Sequence, residues 1–164
     1  MPAYIFRQFY DYHFSENRKL WDSAILALSQ EQFTRHIDYS VGSVRNQIVH
    51  LINVDDAWFC GLRGIAIPEP LNPLHFDERA RIRAHWDTVE RQMREYLAAL
   101  HDDMLETKPF VDEEDKDLLV WQVLLHVVNH GTDHRAQILK GLSDLGGTTG
   151  PQDYIFYVYD NLSL

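Results

Sequence analysis

Hydrophobic residues recur at steps of three, four and seven over four long stretches of the chain, and this periodicity predicts four amphipathic helices. The first stretch runs from about Ala3 to Leu28, the second from Val44 to Leu62 and the fourth from about Leu118 to Leu145. The third has alternating steps of four and three, the pattern of a helix in a bundle core. Its apolar residues are Ile82, Trp86, Val89, Met93, Tyr96 and Leu100.

Residues at the ends of these stretches are typical of helix termini. Ser29 and Ser43 are suited to cap the helices that follow them, and Asp77 is the expected cap of the third long helix. The Gly146–Gly147 pair is a signal for the end of the fourth. Three prolines between residues 65 and 73 exclude a regular helix there, so the second connection is long enough to cross the molecule.

An aromatic tail follows Pro151. Its alternating pattern also fits a strand, but a lone strand would have no sheet to join, and we expect a short helix packed on the bundle. The tail contains Tyr154, Phe156, Tyr157 and Tyr159. The predicted fold is therefore all-α, a four-helix bundle with a crossover connection and a short C-terminal helix. We expect one domain over residues 1–164.

Composition narrows the range of functions. Acidic residues outnumber basic ones 25 to 15, for a formal net charge of −10, which argues against binding to nucleic acid or to an anionic membrane. The single cysteine, Cys60, excludes an internal disulfide and a cysteine-rich zinc module. No apolar run is typical of a signal peptide or a membrane span, and we expect a cytoplasmic protein.

Three of the nine histidines, His126, His130 and His134, follow one another at intervals of four on the fourth helix. Histidines four apart lie on one side of a helix, so two imidazoles can converge on one metal ion. At about 100° per residue, the apolar direction of this helix passes close to His134, roughly 50° from His130 and roughly 90° from His126. His130 and His134 are therefore the predicted inward pair, and His126 is a boundary residue.

A divalent transition metal needs a third ligand from elsewhere in the chain. The candidates are His13, His50, His85 and Asp55, and periodicity alone does not choose among them. A purely structural role for these histidines also stays open, because an interior histidine is more often a core residue than a ligand.

Asp55 interrupts an apolar stripe, and a buried acid requires a partner. It can accept the second N–H of a ligand imidazole, or it can form a salt bridge with Arg135. The sequence does not decide between these two roles.

Two segments resemble helix motifs of the DinB/YfiT-like superfamily of bacterial metal-binding helical bundles. Residues 127–137, VVNHGTDHRAQ, have the form NHGxxHRxQ, and residues 43–51, SVRNQIVHL, place a histidine between a serine cap and a later tryptophan. The resemblance covers nearly the whole chain. It implies a metal held by one histidine of the second helix and two of the fourth, with water in the open positions. The matching residues are His50, His130 and His134, whereas Asp133 stands where members often have a histidine or an aromatic residue.

The resemblance also implies a class of activity. Members with known activity are thiol-dependent S-transferases and isomerases that use low-molecular-weight thiols such as bacillithiol or mycothiol. An S-transferase acting on small electrophilic molecules is the leading hypothesis, because a site with three protein ligands suits catalysis better than structure. The alternatives are a metal-dependent hydrolase and a non-catalytic metal-binding stress-response protein. Imidazoles suit several divalent metals, of which zinc or nickel is expected, and no catalytic side chain is assigned.

A homodimer is the expected assembly. Relatives are often dimers, and the first helix carries six aromatic residues that cannot all face its own bundle. These residues are Tyr4, Phe6, Phe9, Tyr10, Tyr12 and Phe14. The aromatic tail, a partner subunit, or both are the candidates to cover them.

Overall fold

The structure, a computed structural model, describes residues 1–76 and 78–162, and these form helices but no strand. The four long helices are α1 (Ala3–Leu20), α3 (Val44–Leu62), α4 (Arg79–Ala99) and α5 (Val120–Asp144), and the two short ones are α2 (Gln30–Thr34) and α6 (Tyr154–Asp160). The predicted all-α bundle with a short C-terminal helix is confirmed. Within the described residues, no helix has both the length and the apolar character needed to cross a membrane.

The predicted serine caps are present. The Ser29 hydroxyl accepts a hydrogen bond from the backbone N–H of Gln32 at 3.1 Å, and the Gln32 side chain accepts one in return from the Ser29 N–H at 2.9 Å. The Ser43 hydroxyl accepts from the N–H three residues later. Gly146 follows α5 with a φ of 80°, the left-handed conformation that ends many helices. Asp77, the expected cap of α4, lies outside the described residues.

The first helix ends earlier than predicted. Regular α1 stops at Leu20, and the chain continues as one wide π-helical turn, Trp21–Ile25, rather than as a regular helix to Leu28. Trp21 is 3% exposed and Ile25 is fully buried. The wider turn thus accompanies the burial of two large side chains, whose transfer from water stabilises the fold.

The long helices surround the core in the order α1, α5, α3, α4, so α1 and α3 lie on a diagonal. α1 and α4 are antiparallel, because Arg7 donates to the carbonyl of Leu100 while Arg18 pairs with Glu90, earlier in α4. α1 and α5, by contrast, run in the same direction. The Tyr10 hydroxyl donates to the carbonyl of Leu124, and further along both helices Arg135 donates to Asn17.

α3 is antiparallel to α5, because the start of α3 lies beside the end of α5 and Trp58 lies beside His126. It follows that α3 and α4 run in the same direction, and residues 63–76 must return along the bundle. Asn53 holds this connection at its middle: its amide donates to the Leu71 carbonyl at 3.0 Å and accepts from the Leu71 N–H at 2.8 Å. The predicted crossover topology is present.

The aromatic tail packs on α1. Phe9 stacks on Tyr154 with 4.9 Å between ring centroids, and the Tyr12 hydroxyl donates to the Gln152 carbonyl at 2.6 Å. Tyr157 contacts the Tyr12 ring as well. The tail is therefore one of the two expected covers of the first helix, and the homodimer stays a prediction.

We expect Asn53→Ala to loosen the crossover connection. The change removes two hydrogen bonds, each contributing about 0.5–1.5 kcal/mol, so the free energy of unfolding should fall by about 1–3 kcal/mol. Proteolytic cleavage within residues 63–76 should become faster, which mass spectrometry of the fragments would show. Asn129→Ala, on the exposed face of α5, is the matched control and should change neither quantity. Equal cleavage rates in the wild type and both variants would contradict this role of Asn53.

Candidate metal centre

Three histidines from two helices meet between α3 and α5. His50 of α3 and His130 and His134 of α5 each offer one ring nitrogen, and these three atoms lie within 4.8 Å of one another. The ring centroids are 4.5 Å apart for His50 and His134, 4.2 Å for His130 and His134, and 5.3 Å for His50 and His130. The structure thus brings together the three residues that the sequence motifs single out.

The exposure of the α5 histidines follows their predicted angles. His134 is 9% exposed, His130 is half-buried and His126 is exposed. The His126 ring lies 5.1 Å from the ring of Trp58 and 5.8 Å from that of His130, at the edge of the group. His126 therefore belongs to the surroundings of the cluster, and it contributes no nitrogen to the group of three.

The remaining candidate ligands lie elsewhere. His85 lines a cavity of about 230 Å³ between α3, α4 and the crossover connection. His13 is fully buried in a separate polar cluster that also contains Asp55. Neither His13, His85 nor Asp55 joins the group of three, so the third nitrogen comes from His50.

The polar cluster behind the histidines is arranged around Arg135. Its Nη1 donates to Nδ1 of His13 and to Oδ1 of Asn17, each at 3.1 Å. Nε2 of the same ring lies 3.2 Å from Nδ2 of Asn17 and 3.5 Å from a carboxylate oxygen of Asp55. This contact with Asp55 is an ion pair only when His13 is protonated, and neither carboxylate oxygen of Asp55 has a hydrogen-bond partner among the described residues. The sequence had suggested His13 only as a possible ligand.

Gly131 makes room for this cluster within α5. A Cβ atom at this position would lie 2.3 Å from Cε1 of His13, far inside van der Waals contact. Glycine costs about 1 kcal/mol relative to alanine inside a helix, and here it permits the close approach of α1. The motif glycine between the two α5 histidines thus has a packing role that periodicity does not reveal.

Burial keeps the three imidazoles of the cluster neutral, so their ring nitrogens can act as metal ligands. Burial, followed by the nearby histidines, lowers the pKa of His130 to about 3. Burial also lowers the pKa of His50 and of His134. The negative charge of Asp55 raises both pKa values in part, and for His134 the charge of Asp133 acts in the same direction. The rings therefore resist protonation at neutral pH, and a buried carboxylate provides countercharge for a metal ion.

The donor set fits a divalent transition metal. Neutral imidazole nitrogens bind zinc and its neighbours at about 2.1 Å, and the cluster offers three of them within 4.8 Å of one another. Nδ1 of His130 is buried and has no hydrogen-bond partner among the described residues, a costly state for a polar atom. The cluster can thus hold a metal ion.

Gln47 is a site residue to which the sequence reasoning assigned no role. It is 4% exposed, and its Oε1 lies 2.9 Å from Nδ1 of His134. Hydrogen bonds of this kind orient ligand histidines in metal proteins. One sequence signal was available: Gln47 precedes His50 by three residues and therefore lies on the same side of α3.

Comparison with known proteins agrees with this arrangement. The model of the DinB family matches residues 1–161. A relative from Bacillus subtilis (strain 168), named "Protein DinB", is 25% identical over 160 residues, which cover 92% of this chain and 91% of the relative. The match therefore extends over both cluster-bearing helices and over nearly the full length of each protein.

We expect His50→Ala, His130→Ala and His134→Ala each to abolish tight binding of zinc or nickel, because two imidazoles hold such an ion far more weakly than three. His126→Ala is the matched control on the same helix and should keep stoichiometric metal, measured by elemental analysis after dialysis. Circular dichroism should show that all four variants remain helical, since the bundle has its own apolar core. Stoichiometric metal in His130→Ala would refute the assignment.

The lowered pKa values predict how the stability of the metal-free protein changes with pH. Unfolded His130 takes up a proton near pH 6.5, whereas folded His130 does so only near pH 3. Between these values the unfolded state binds more protons, so the free energy of unfolding rises with pH and levels off, for this residue, above about pH 6.5. We therefore expect stability to decrease from pH 7 to pH 4 in urea titrations.

Removing the responsible ring should weaken that dependence. His130→Ala should show a smaller loss of stability between pH 7 and pH 4 than the wild type. His101→Ala, which removes an exposed histidine, should keep the wild-type dependence. Identical pH profiles for all three proteins would show that His130 titrates at its ordinary pKa.

Proposed function

Because the chain belongs to the DinB family, we propose that it is a metal-dependent, thiol-using S-transferase acting on small electrophilic molecules. His50, His130 and His134 would hold the metal, with zinc or nickel as the expected ion. The substrate is a small molecule, and a low-molecular-weight thiol such as bacillithiol or mycothiol is the co-substrate. The resemblance to DinB/YfiT-like enzymes supports the choice of reaction.

The observation that carries the proposal is a cluster of three neutral nitrogens on a partly open surface. Structural zinc sites are closed by four protein ligands, whereas catalytic sites keep positions for water or substrate. His50 and His130 are only half-buried, so small molecules can reach the cluster from solvent. Three ligands and this access favour catalysis over a purely structural role.

The neighbouring side chains offer what such a reaction needs. The ring of Trp58 is partly buried against the core and stands beside His126 at the edge of the cluster. Its indole provides an apolar surface on which a small electrophile can rest. The exposed imidazole of His126 can accept or donate a proton within reach of molecules that enter the site.

A bound metal supplies Lewis-acid chemistry, which stabilises a thiolate or activates water. In the proposed transfer, the thiol loses its proton to the His126 imidazole. The thiolate sulfur then forms a bond to the electrophilic carbon, and the bond between that carbon and its leaving group breaks. The proton held by His126 can pass to the leaving group, which balances the reaction.

We expect the zinc- or nickel-loaded protein to accelerate conjugation of bacillithiol, mycothiol or another small thiol to a panel of chloro-aromatic and bimane electrophiles. His130→Ala should reduce the rate to the uncatalysed level, because it loses the metal. His126→Ala should keep the metal and lose roughly 100-fold in rate, the usual contribution of a proton-transfer group. Product formation followed by mass spectrometry measures both effects.

The controls separate this proposal from its alternatives. His75→Ala, outside the bundle helices, should leave the rate unchanged. Hydrolysis of esters or amides without any thiol would replace the proposal with a metal-dependent hydrolase. Tight metal binding with no turnover of any thiol, ester or amide would identify a non-catalytic metal-binding protein.

A further inference from the structure

A row of side-chain hydrogen bonds runs from His134 to the protein surface. Nδ1 of His134 lies 2.9 Å from Oε1 of Gln47, and the Gln47 amide donates to Oε1 of Gln137 at 3.0 Å. The Gln137 amide in turn donates to a carboxylate oxygen of Asp133 at 2.8 Å. We call these three residues, Gln47, Gln137 and Asp133, the amide chain. It connects α3 with α5 and begins at a proposed metal ligand.

The amide chain is held firmly in place. Gln47 is nearly buried at 4% exposure, so an unsatisfied amide there would cost free energy. Oε1 of Gln137 accepts a second hydrogen bond from the Ser40 hydroxyl. Ser40 adopts a left-handed backbone conformation with φ of 52° in the loop before α3. Two donors and one acceptor therefore fix the position of the Gln137 amide.

The direction of the hydrogen bonds is a separate question, because an amide can rotate and exchange its oxygen and nitrogen. Rotating both glutamine amides would give a second chain, in which Gln47 donates to His134 and Gln137 donates to Gln47. The rotated Gln137 would then turn its oxygen toward Asp133. A carboxylate can only accept hydrogen bonds, so this second chain ends in the repulsion of two oxygens. The Ser40 hydroxyl can donate or accept and does not decide the direction.

We propose that Asp133, acting through Gln137 and Gln47, holds His134 in the tautomer with its proton on Nδ1 and its lone pair on Nε2. Asp133 is a positioning residue in this view. The reversed chain would place the proton of His134 on Nε2 and remove the lone pair available to a metal. The value of this arrangement to the protein depends on the proposed metal centre, but the tautomer itself exists without a metal.

The same control is not visible at His130. Its Nδ1 is buried without a hydrogen-bond partner among the described residues, so none of their side chains selects a tautomer through that atom. His134, by contrast, is connected to a charged group at the surface. Asp133 is exposed and precedes His134 in the sequence, but it lies three hydrogen bonds away along the amide chain. Substitution of Asp133 should therefore change which ring nitrogen of His134 carries the lone pair.

The first test uses metal-free protein labelled with ¹⁵N-histidine. Long-range ¹H–¹⁵N NMR distinguishes a ring nitrogen with a proton from one with a lone pair, and the wild-type His134 should show its proton on Nδ1. Asp133→Lys replaces an acceptor with a donor and should shift the population toward Nε2–H. Asp133→Glu should restore the wild-type spectrum. Asp144→Lys is the matched control, because it makes the same charge change on α5 at a carboxylate bound to Lys140.

The second test measures zinc affinity by competition with a chelator. Substitution of residues that orient metal ligands typically weakens binding about 10–100-fold, and we expect a loss of about tenfold or more in Asp133→Lys. Gln137→Met interrupts the amide chain without changing the charge and should also weaken binding. A general effect of charge would instead weaken binding in Asp144→Lys and spare Gln137→Met.

The two tests fail independently. A proton on Nε2 of His134 in the wild-type protein, or an unchanged tautomer in Asp133→Lys, would overturn the role of the amide chain whatever the protein catalyses. Loss of catalysis with an intact Nδ1–H tautomer and its predicted response to Asp133→Lys would leave the amide chain in place and refute only the proposed function.

Discussion

A fully buried guanidinium, that of Arg135, constrains how the helices fit together. Its group has no access to solvent, and a buried charge without partners destabilises a fold by several kcal/mol. The partners come from two helices: His13 and Asn17 on α1 and Thr132 on α5 itself. These hydrogen bonds exist only at one register of α1 against α5. Because His134 directly precedes Arg135 in α5, that register also sets the direction in which His134 points.

The two sides of α5 therefore have different roles. The side facing α1 buries Arg135 and, through Gly131, accepts the ring of His13. The side facing α3 presents the histidines that meet His50. Asp55 lies between the two groups, 3.5 Å from His13 and close enough for its charge to act on His50 and His134. Burial outweighs this charge in setting the imidazole pKa values, so the rings stay neutral, while the carboxylate still favours a cation among them.

Several features could be predicted from the sequence because they depend on neighbours along the chain. Serine caps, the glycine after α5 and the heptad of α4 are local, as is the inward direction of His130 and His134. The first helix shows where local reasoning ends. Its regular part stops at Leu20 because the following turn widens as Trp21 and Ile25 enter the core, and helical periodicity does not foresee a turn of different width.

The sequence by itself determined four amphipathic helices, a long second connection and an inward pair of histidines, and its resemblance to a family indicated His50 as their partner. Only the tertiary structure decided that His13 and His85 lie apart from the cluster, that Asp55 contacts His13, and that Gln47 reaches His134. The physical reason is sequence separation. Contacts between residues such as Gln47 and His134, which are 87 positions apart, depend on the order and direction of helices around the core, and the periodicity within one helix carries no information about either.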